Sequence, residues 1–383
     1  MQYVYFDHNA TTPVDARVLE TVVACLDRTF GNASSIHYFG QAAKQRLEQA
    51  RRQVAALIQA SPAEVIFSSG GTESDNMAVL GAVRARTGAR HVITTAIEHP
   101  AVLAACSQLE REGVEVTRVP VNGSGVVEAD SIRRALRPDT VLVSVMHANN
   151  ELGTIQPIAE IAEIAREAAV LFHVDGVQAL GKIPVDVRAL GIDFYSVSGH
   201  KLYAPKGVGA LYARKGTRTA ALTFGGHHER DRRPGTENVP GIAGFGAAAE
   251  LAAGHLAADA ARIASLRDRL ERAVLDRIPQ TGVNGGGVPR TPNTTNIYFD
   301  GIDGEALVIA LDLRGFAVST GSACSSGAVT PSHVLTAIGL RPERARASIR
   351  FSLGISNTAE QVDALVNALE ASVTHLRRIS VHA

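Results

Sequence analysis

The segment EVIFSSGGTES, residues 64–74, joins a short apolar run to a Gly-Gly turn and the start of a helical pattern. The same alternation continues along the chain, where HVITTA (91–96) precedes a helical run at 101–112 and LFHVD (171–175) is another short apolar run. Strand-like runs that alternate with helical runs, several of them apolar throughout, are typical of a mostly parallel sheet covered by helices on both faces. The sequence therefore predicts an α/β fold built on such a sheet.

The pattern changes after about residue 241. An Ala-rich helical stretch at 244–278 is too long for one ordinary helix of that sheet, and short mixed elements follow it. These elements indicate a second, smaller domain of the α+β type. We predict a large domain over residues 13–258 and a small domain formed by 1–12 together with 259–383.

The composition is that of a chain able to bury large cores. Hydrophobic residues make up 45% of the 383 residues, which argues against disorder. Lysine plus arginine and aspartate plus glutamate both count 38, so the formal charge is zero. A protein that binds nucleic acid or a membrane surface non-specifically needs a basic field, so we expect neither function. No apolar run approaches the roughly 18 residues of a membrane span, and the N-terminus lacks the pattern of a signal peptide.

The three cysteines, Cys25, Cys106 and Cys324, are odd in number and far apart, which favours a reducing compartment, most simply the cytoplasm. Cys25 and Cys106 lie in helical patterns among apolar residues, and we expect them in the core. Cys324 lies in STGSACSSG, residues 319–327, where no large side chain can bury the sulfur. From the loop alone it is either an incidental surface cysteine or a reactive thiol. Two adjacent histidines in HHE (227–229) rarely face one ion, so we expect a loop there and no metal site.

Polar motifs follow five of the predicted strands. They are SSGGTES after 64–67, EHP after 91–96, HANNE after 141–146, VDGVQ after 171–174 and SGHK after 194–197. In open α/β sheets ligands bind beyond the carboxyl ends of the strands. The sequence therefore predicts one site at this edge of the sheet.

Each of these motifs has a structural and a functional interpretation. SSGGTES (68–74) could bind a phosphate at the start of a helix, or be an ordinary turn with Thr72 as the N-cap. Lys201 could be a surface residue or a Schiff-base lysine. Asp175 could cap a turn or pair with the protonated nitrogen of a pyridoxal ring, and His99 could be structural or stack on that ring.

Taken in order, the motifs resemble one family, the pyridoxal-phosphate-dependent cysteine desulfurases of the NifS/IscS type. The resemblance runs nearly end to end. It comprises YFDHNATTP (5–13), FGNASSIH (30–37), SGGTESDN (69–76), EHPAV (98–102), MHANNELG (146–153), HVDGVQ (173–178), SGHKLYAPKG (198–207), GGHHERDRRPGTEN (225–238), STGSACSSG (319–327) and SIRFSLG (348–354). It implies the aminotransferase-like fold of these enzymes, with a seven-stranded type of sheet in the large domain.

The resemblance also implies roles for individual residues. Lys201 would hold pyridoxal 5'-phosphate and move the Cα proton of the substrate, Cys324 would accept the sulfur, and Asp175 would face the pyridine nitrogen. The other implied contacts are His99 on the ring, Gln178 and Asn150 at the ring hydroxyl, Gly71, Thr72, Ser198 and His200 at the phosphate together with Thr236 of the partner subunit, and Arg350 at the substrate carboxylate with Asn32 close by.

The implied activity is removal of sulfur from L-cysteine, which gives L-alanine and a persulfide on Cys324. A homodimer is implied, and so is a sulfur-acceptor protein of iron–sulfur cluster assembly or of thiolation. STGSACSSG (319–327) matches the long-loop class of the family, whereas Ala33 stands where the family usually has proline. Two alternatives stay open: another pyridoxal-phosphate reaction on the same fold, such as selenocysteine lysis or transamination, and a non-catalytic scaffold.

Overall fold

The computed structural model describes residues 3–88, 90–321 and 331–380. The described residues form twelve strands: β1 Val4–Tyr5, β2 Val65–Ser68, β3 His91–Thr95, β4 Glu115–Val119, β5 Thr140–Met146, β6 Leu171–Asp175, β7 Phe194–Ser198, β8 Gly209–Ala213, β9 Thr281–Asn284, β10 Thr294–Phe299, β11 Phe316–Ala317 and β12 Ser348–Ser352. They also form eleven α-helices: α1 Ala16–Arg28, α2 Tyr38–Leu57, α3 Gly71–Arg84, α4 Pro100–Arg111, α5 Ala129–Ala135, α6 Ile158–Glu167, α7 Val239–Arg277, α8 Gly304–Asp312, α9 His333–Ala337, α10 Pro342–Arg346 and α11 Ala359–Ser380.

Seven strands form the main sheet in the order β2-β8-β7-β6-β5-β3-β4. Strand β8 runs antiparallel to both of its neighbours, and the other neighbouring pairs are parallel. Every residue of β5, β6 and β7 is buried, as expected for strands covered on both faces. The predicted α/β fold with a mostly parallel sheet is confirmed.

Helices cover both faces of this sheet. One face packs against α2, α6 and the first half of α7, where Val54, Ile161 and Phe245 are buried in one apolar cluster. The opposite face packs against α3 and α4, with Val79 and Leu109 buried. Because the two clusters lie on opposite sides of the strands, the sheet has little contact with solvent except at its edges.

A second core lies outside the main sheet. It contains the antiparallel sheet β12-β10-β9, the parallel pair β1-β11 and the helices α8 and α11. Two separate cores are compatible with a large and a small domain. The boundaries at residues 12/13 and 258/259 stay a prediction.

Helix α7 is a single helix of 39 residues. Its first half contributes Phe245 and Ala249 to the core of the main sheet, and its second half contributes Leu266 and Leu270 to the second core. Alanine has the highest helix propensity, and after Pro240 the helix contains no further proline to break it. The Ala-rich stretch, predicted to be too long for one helix of the sheet, is long because its two halves pack in different cores.

The N-terminal segment connects the two cores beside the carboxyl edge of the main sheet. Asp7 forms an isolated bridge with Ser352 of β12. The side-chain amide of Asn9 donates to Thr294 Oγ1 in β10 at 2.8 Å, and the N–H of Thr12 donates to the carbonyl of His200 at 2.9 Å. This segment therefore lies between the elements that carry the polar motifs and the second core.

Replacement of Leu270 by alanine is expected to lower the free energy of unfolding by about 2–5 kcal/mol, because the leucine is fully buried in the second core. Urea denaturation of the purified variant measures this change. Leu275→Ala on the same helix is the matched control, since that side chain is 44% exposed, and its effect should stay below about 1 kcal/mol. Equal losses in the two variants would contradict the packing of α7 against the second core.

Candidate active site

A cavity of about 490 Å³ opens where the main sheet, the N-terminal segment and the second core meet. It lies beyond the carboxyl ends of β2, β3, β5, β6 and β7. This is the edge of the sheet at which the polar motifs predicted a site. The predicted residues that line it are Gly71, Thr72, His99, Asn150, Asp175, Gln178, Ser198, His200, Lys201 and Arg350. Residues that are distant in sequence therefore share one cavity.

The start of α3 has the features of an anion site. The first N–H groups of a helix have no partner within the helix and point toward the N-terminal end, which here lies at the cavity. Ser198 Oγ is buried and has no hydrogen-bond partner among the described residues. A Cβ atom on Gly71 would lie 2.7 Å from Val177 Cγ2, so the close approach requires glycine. Gly70 occupies the N-cap, so the alternative of Thr72 as the cap is wrong.

Lys201 lies at the end of the single 3₁₀ turn that follows β7. Its Nζ donates to the carbonyl oxygens of Asn9 and Ala10, both at 2.6 Å. The N-terminal segment thus holds the amine inside the cavity. An amine held at such a place by a half-buried side chain suits a lysine that bonds to a carbonyl group.

Asp175 is the last residue of β6 and is buried. Its Oδ1 accepts a hydrogen bond from the N–H of Val177 at 2.9 Å. Burial, and to a smaller extent the neighbouring Asp75, raises the pKa of Asp175 to about 7. A cation bound in the cavity would favour the ionised carboxylate, and a protonated ring nitrogen supplies such a charge.

His99 is the N-cap of α4, where its Nδ1 accepts a hydrogen bond from the N–H of Ala101 at 3.1 Å. The neutral ring therefore carries its proton on Nε2. Burial lowers the pKa of His99, Asp175 opposes this change, and Lys201 adds to it. The site thus presents a neutral imidazole.

Gln178 is held by a second lysine, which the motifs did not indicate. Lys182 Nζ donates to Gln178 Oε1 at 2.6 Å and to Asn9 Oδ1 at 2.8 Å. The amide nitrogen of Gln178 donates to the carbonyl oxygen of Asn9 at 3.0 Å. Both ends of the Gln178 amide are therefore fixed, and Asn9 connects the bonds of Lys182 to those of Lys201.

Arg350 reaches the cavity from β12 of the second core and is only 2% exposed. It donates to Asp7 Oδ1 at 2.6 Å and to the carbonyl oxygen of Asn150 at 3.1 Å. Its Nε is buried without a hydrogen-bond partner among the described residues. A guanidinium with donors to spare in a cavity can bind a carboxylate in bidentate geometry.

Two buried acids near the cavity were missed from the sequence. Glu98 Oε1 accepts from Thr95 Oγ1 at 2.6 Å and from the N–H of Met146 at 3.0 Å, whereas Oε2 has no partner among the described residues. Burial raises the pKa of Glu98 to about 8 and the pKa of Asp75 to about 7. Both acids stand in motifs that were recognised, EHP and TESD, but only their burial distinguishes them from surface residues.

Two predicted site residues, Asn32 and Thr236, do not line the cavity in this single chain. Asn32 is exposed, and its Oδ1 accepts from the N–H of Ser34 at 2.9 Å in a local turn. Thr236 is exposed and borders another depression together with Glu73. Cys324 lies outside the described residues, so the roles of all three stay predictions.

Some further residues of the cavity lining were not predicted, among them Asn9, Glu151, Ser332 and His333. Glu151 is buried, and Ser332 Oγ donates to its Oε2 at 2.6 Å. Within the ranges that the structure describes, no group of three or more His, Cys, Asp or Glu residues could hold a metal ion. None of the helices in those ranges has both the length and the apolar character of a membrane span.

The chain matches the aminotransferase class-V family over residues 4–365. It belongs to that family. It is 48% identical to the cysteine desulfurase of Trichormus azollae over 99% of this chain and 95% of the relative. A solved NifS-like protein superposes with a TM-score of 0.92 at 38% identity, covering 98% of this chain and all of that protein. SspA, solved in complex with cysteine, has a TM-score of 0.82 at 36% identity, covering 91% of this chain and 98% of SspA.

The predicted resemblance to the NifS/IscS type and the aminotransferase-like fold are thereby confirmed. Members of this family depend on pyridoxal phosphate, so the predicted cofactor is confirmed as well. The residues present fit that group. The unpaired Ser198 Oγ and the start of α3 suit its phosphate, Asp175 suits its ring nitrogen, and Lys201 suits its aldehyde.

The contribution of Glu98 to the stability of the protein freed of cofactor is expected to fall as the pH rises from 6.5 to 8. Between its ordinary pKa near 4.5 and about 8, the folded Glu98 keeps its proton and the unfolded one does not. The folded state then binds more protons, so a higher pH favours unfolding, by at most about 1.4 kcal/mol per pH unit for one group. Urea denaturation at a series of pH values measures this slope.

Glu98→Gln should flatten that slope, because glutamine has no proton to lose. Glu160→Gln, at an exposed position of α6, is the matched control and should leave the slope unchanged. An unaltered slope in Glu98→Gln would mean that the buried carboxyl does not hold its proton.

Proposed function

We propose that the protein is a cysteine desulfurase that takes sulfur from L-cysteine and leaves L-alanine. The observation that carries the proposal is the convergence of a phosphate site, Asp175, Lys201 and Arg350 on one cavity. The similarity to the cysteine desulfurase of Trichormus azollae supports the reaction, and the similarity to SspA, which was solved with cysteine, supports the substrate.

Residues at three points would hold pyridoxal phosphate. The first turn of α3, with Gly71 and Thr72, and the hydroxyl of Ser198 would bind the phosphate. Asp175 would face the ring nitrogen, and Lys201 would hold the group at its aldehyde. When bound, pyridoxal phosphate withdraws electrons from the Cα–H bond of an attached amino acid.

Arg350 orients the substrate. Nη1 of Arg350 donates to the carbonyl oxygen of Asn150 and Nη2 donates to Asp7, which fixes the plane of the guanidinium, and the unpaired Nε is a donor left for the α-carboxylate. Arginine suits this task better than lysine because two parallel hydrogen bonds fix the plane of the carboxylate. The substrate therefore enters with its carboxylate toward the second core.

Lys201 moves the proton. Its amine, when free, can take the Cα proton of the substrate, and the carbonyl oxygens of Asn9 and Ala10 can stabilise the resulting ammonium. The neutral His99 beside it offers an N–H on Nε2 rather than a second positive charge. The proton thus stays inside the cavity for return to the product.

Cys324 accepts the sulfur. Its thiolate forms an S–S bond with the substrate sulfur as the C–S bond breaks, and the electron pair of that bond returns to carbon. Protonation of the carbon gives alanine and leaves a persulfide on Cys324. Transamination has no step that needs a thiol, which makes it the weaker alternative.

The active unit is a homodimer, and the exposed apolar side chains support this part of the proposal. Phe30, Ile36 and Tyr38, around the start of α2, are 67%, 94% and 79% exposed. Large apolar side chains that cluster at a surface mark an interaction site. Thr236, exposed in the single chain, would contact the cofactor phosphate of the partner subunit, and Asn32 would come close to the substrate.

The persulfide passes to a protein acceptor of iron–sulfur cluster assembly or of thiolation, in the cytoplasm. Cys25 and Cys106 support that compartment, because both are buried free thiols with no disulfide between them.

The purified protein is expected to be yellow, to lose its visible band on borohydride reduction, and to form alanine and sulfide from L-cysteine plus a thiol reductant. Cys324→Ala should keep the band and lose persulfide and sulfide formation, whereas Lys201→Ala should lose both the borohydride-sensitive band and turnover. Spectroscopy and amino-acid analysis measure these outcomes. Cys25→Ala is the matched control, since Cys25 is buried away from the cavity. Full sulfur transfer in Cys324→Ala would refute its role as the acceptor.

Arg350→Lys is expected to raise the KM for L-cysteine about 10- to 100-fold, because lysine replaces a bidentate contact with a single charge. Steady-state kinetics measure the change. Arg290→Lys is the control, since Arg290 makes a similar two-bond pair with Glu271 outside the cavity lining. An unchanged KM in Arg350→Lys would exclude Arg350 as the carboxylate site.

A further inference from the structure

The segment 221–238 carries Thr236 and runs across the surface of the chain. It contains no strand, and a single 3₁₀ turn at His228–Asp231 is its regular structure. Of its residues, all of which the structure describes, only Glu229 is buried. A segment that otherwise lies at the surface is therefore anchored at one charged residue.

Glu229 is bound by a buried ion pair. Arg51 donates to Glu229 Oε1 and to Oε2, each at 2.7 Å, and the N–H of Phe67 donates to Oε2 at 2.9 Å. Arg51 also donates to the carbonyl of Val65 at 2.9 Å and lies over the Phe67 ring at 4.8 Å from its centre. Both charged side chains are almost fully enclosed. Such a pair, with its remaining donors and acceptors satisfied, allows one geometry.

The backbone at the anchor is in an uncommon conformation. Glu229, Arg230 and Asp231 have φ angles of 47°, 58° and 64°. Three consecutive non-glycine residues in the left-handed region persist only where the surroundings impose that conformation. The bonds to Glu229 supply this constraint. They fix the direction in which the chain leaves toward Thr236.

The anchor is attached to the cofactor site of its own chain. Val65 and Phe67, which bind the pair, belong to β2, and β2 leads directly into the first turn of α3. Arg233 makes a second bond between the segment 221–238 and this turn, since its Nε donates to Glu73 Oε1 at 3.0 Å. The segment is therefore positioned relative to the phosphate end of the cavity.

We propose that the Arg51–Glu229 pair is a positioning device for the cofactor site of the partner subunit. It holds 221–238 so that Thr236 reaches the phosphate bound by the other chain. The inference rests on the proposed function, which supplies the dimer and the cofactor. Each pair is bonded to β2, which leads into the phosphate site of its own chain, and it positions Thr236 at the phosphate site of the other chain. The pair therefore links the two phosphate sites of the dimer.

Mixed dimers separate this role from simple stabilisation of the chain that carries the pair. Two differently tagged copies are co-expressed and purified through both tags, and Lys201→Ala in one copy leaves a single site with lysine-linked cofactor. The pair is removed by Arg51→Met together with Glu229→Gln, which leaves no unpaired charge in the interior, since Glu48, the other carboxylate that Arg51 contacts, is 40% exposed. Release of cofactor is followed as loss of the visible band after dilution into excess phosphate.

The position of the substitutions decides the result. When the altered pair is in the Lys201→Ala copy, the intact site receives Thr236 from an altered segment, and release should be about tenfold faster, the effect of one lost hydrogen bond to phosphate. When the altered pair is in the copy that keeps Lys201, release should equal that of a mixed dimer with both pairs intact.

The matched control removes another two-bond pair, Arg290→Met with Glu271→Gln, and should leave release unchanged in both arrangements. Faster release only when the altered pair and Lys201 share a copy would overturn the proposal, and so would no change in either arrangement. If the double variant does not fold, Arg51→Lys, which keeps the charge, should give a smaller effect in the same arrangement. Failure of the tagged copies to co-purify would reject the homodimer itself, a separate result from normal release in a mixed dimer that forms.

Discussion

The site depends on the parallel order of β3, β5, β6 and β7. Parallel neighbours bring their carboxyl ends to the same edge, so the residues that follow them meet although long stretches of chain separate them. The antiparallel β8 preserves this arrangement, because β2 on its far side again runs in the common direction. His99, Asp175 and Lys201 could not share a cavity in a sheet of another order.

Burial determines the charge that these residues carry. The carboxyl groups of Asp175 and Glu98 are buried, so their ionised forms are costly unless a partner compensates the charge. That cost raises the pKa values of Asp175 and Glu98 and lowers that of His99. In the free protein Asp175 and Glu98 therefore keep their protons to a higher pH than exposed acids do, and a cation beside Asp175, such as the ring nitrogen proposed above, would restore its usual ionised state.

The sequence was most informative at residues that directly follow a strand of the main sheet. Lys201 and Asp175 could be predicted because a charged residue directly after an apolar parallel strand lies at the sheet edge where ligands bind, and the matching motifs then gave their roles. Lys182 and Glu98 could not, since their importance lies in burial and in bonds to residues far along the chain. The predicted role of Thr236 rests on the family resemblance alone, because a contact between subunits is not contained in one chain.

Helix α7 fixes how the two cores face each other. At 1.5 Å per residue it is a rod of about 58 Å, with one half embedded in each core. One residue more or less between the halves would turn one core by about 100° around the rod. Arg350 would then no longer face the cavity that holds Lys201. Between Ala249 and Ile263 the number of residues is therefore constrained more strictly than their identity.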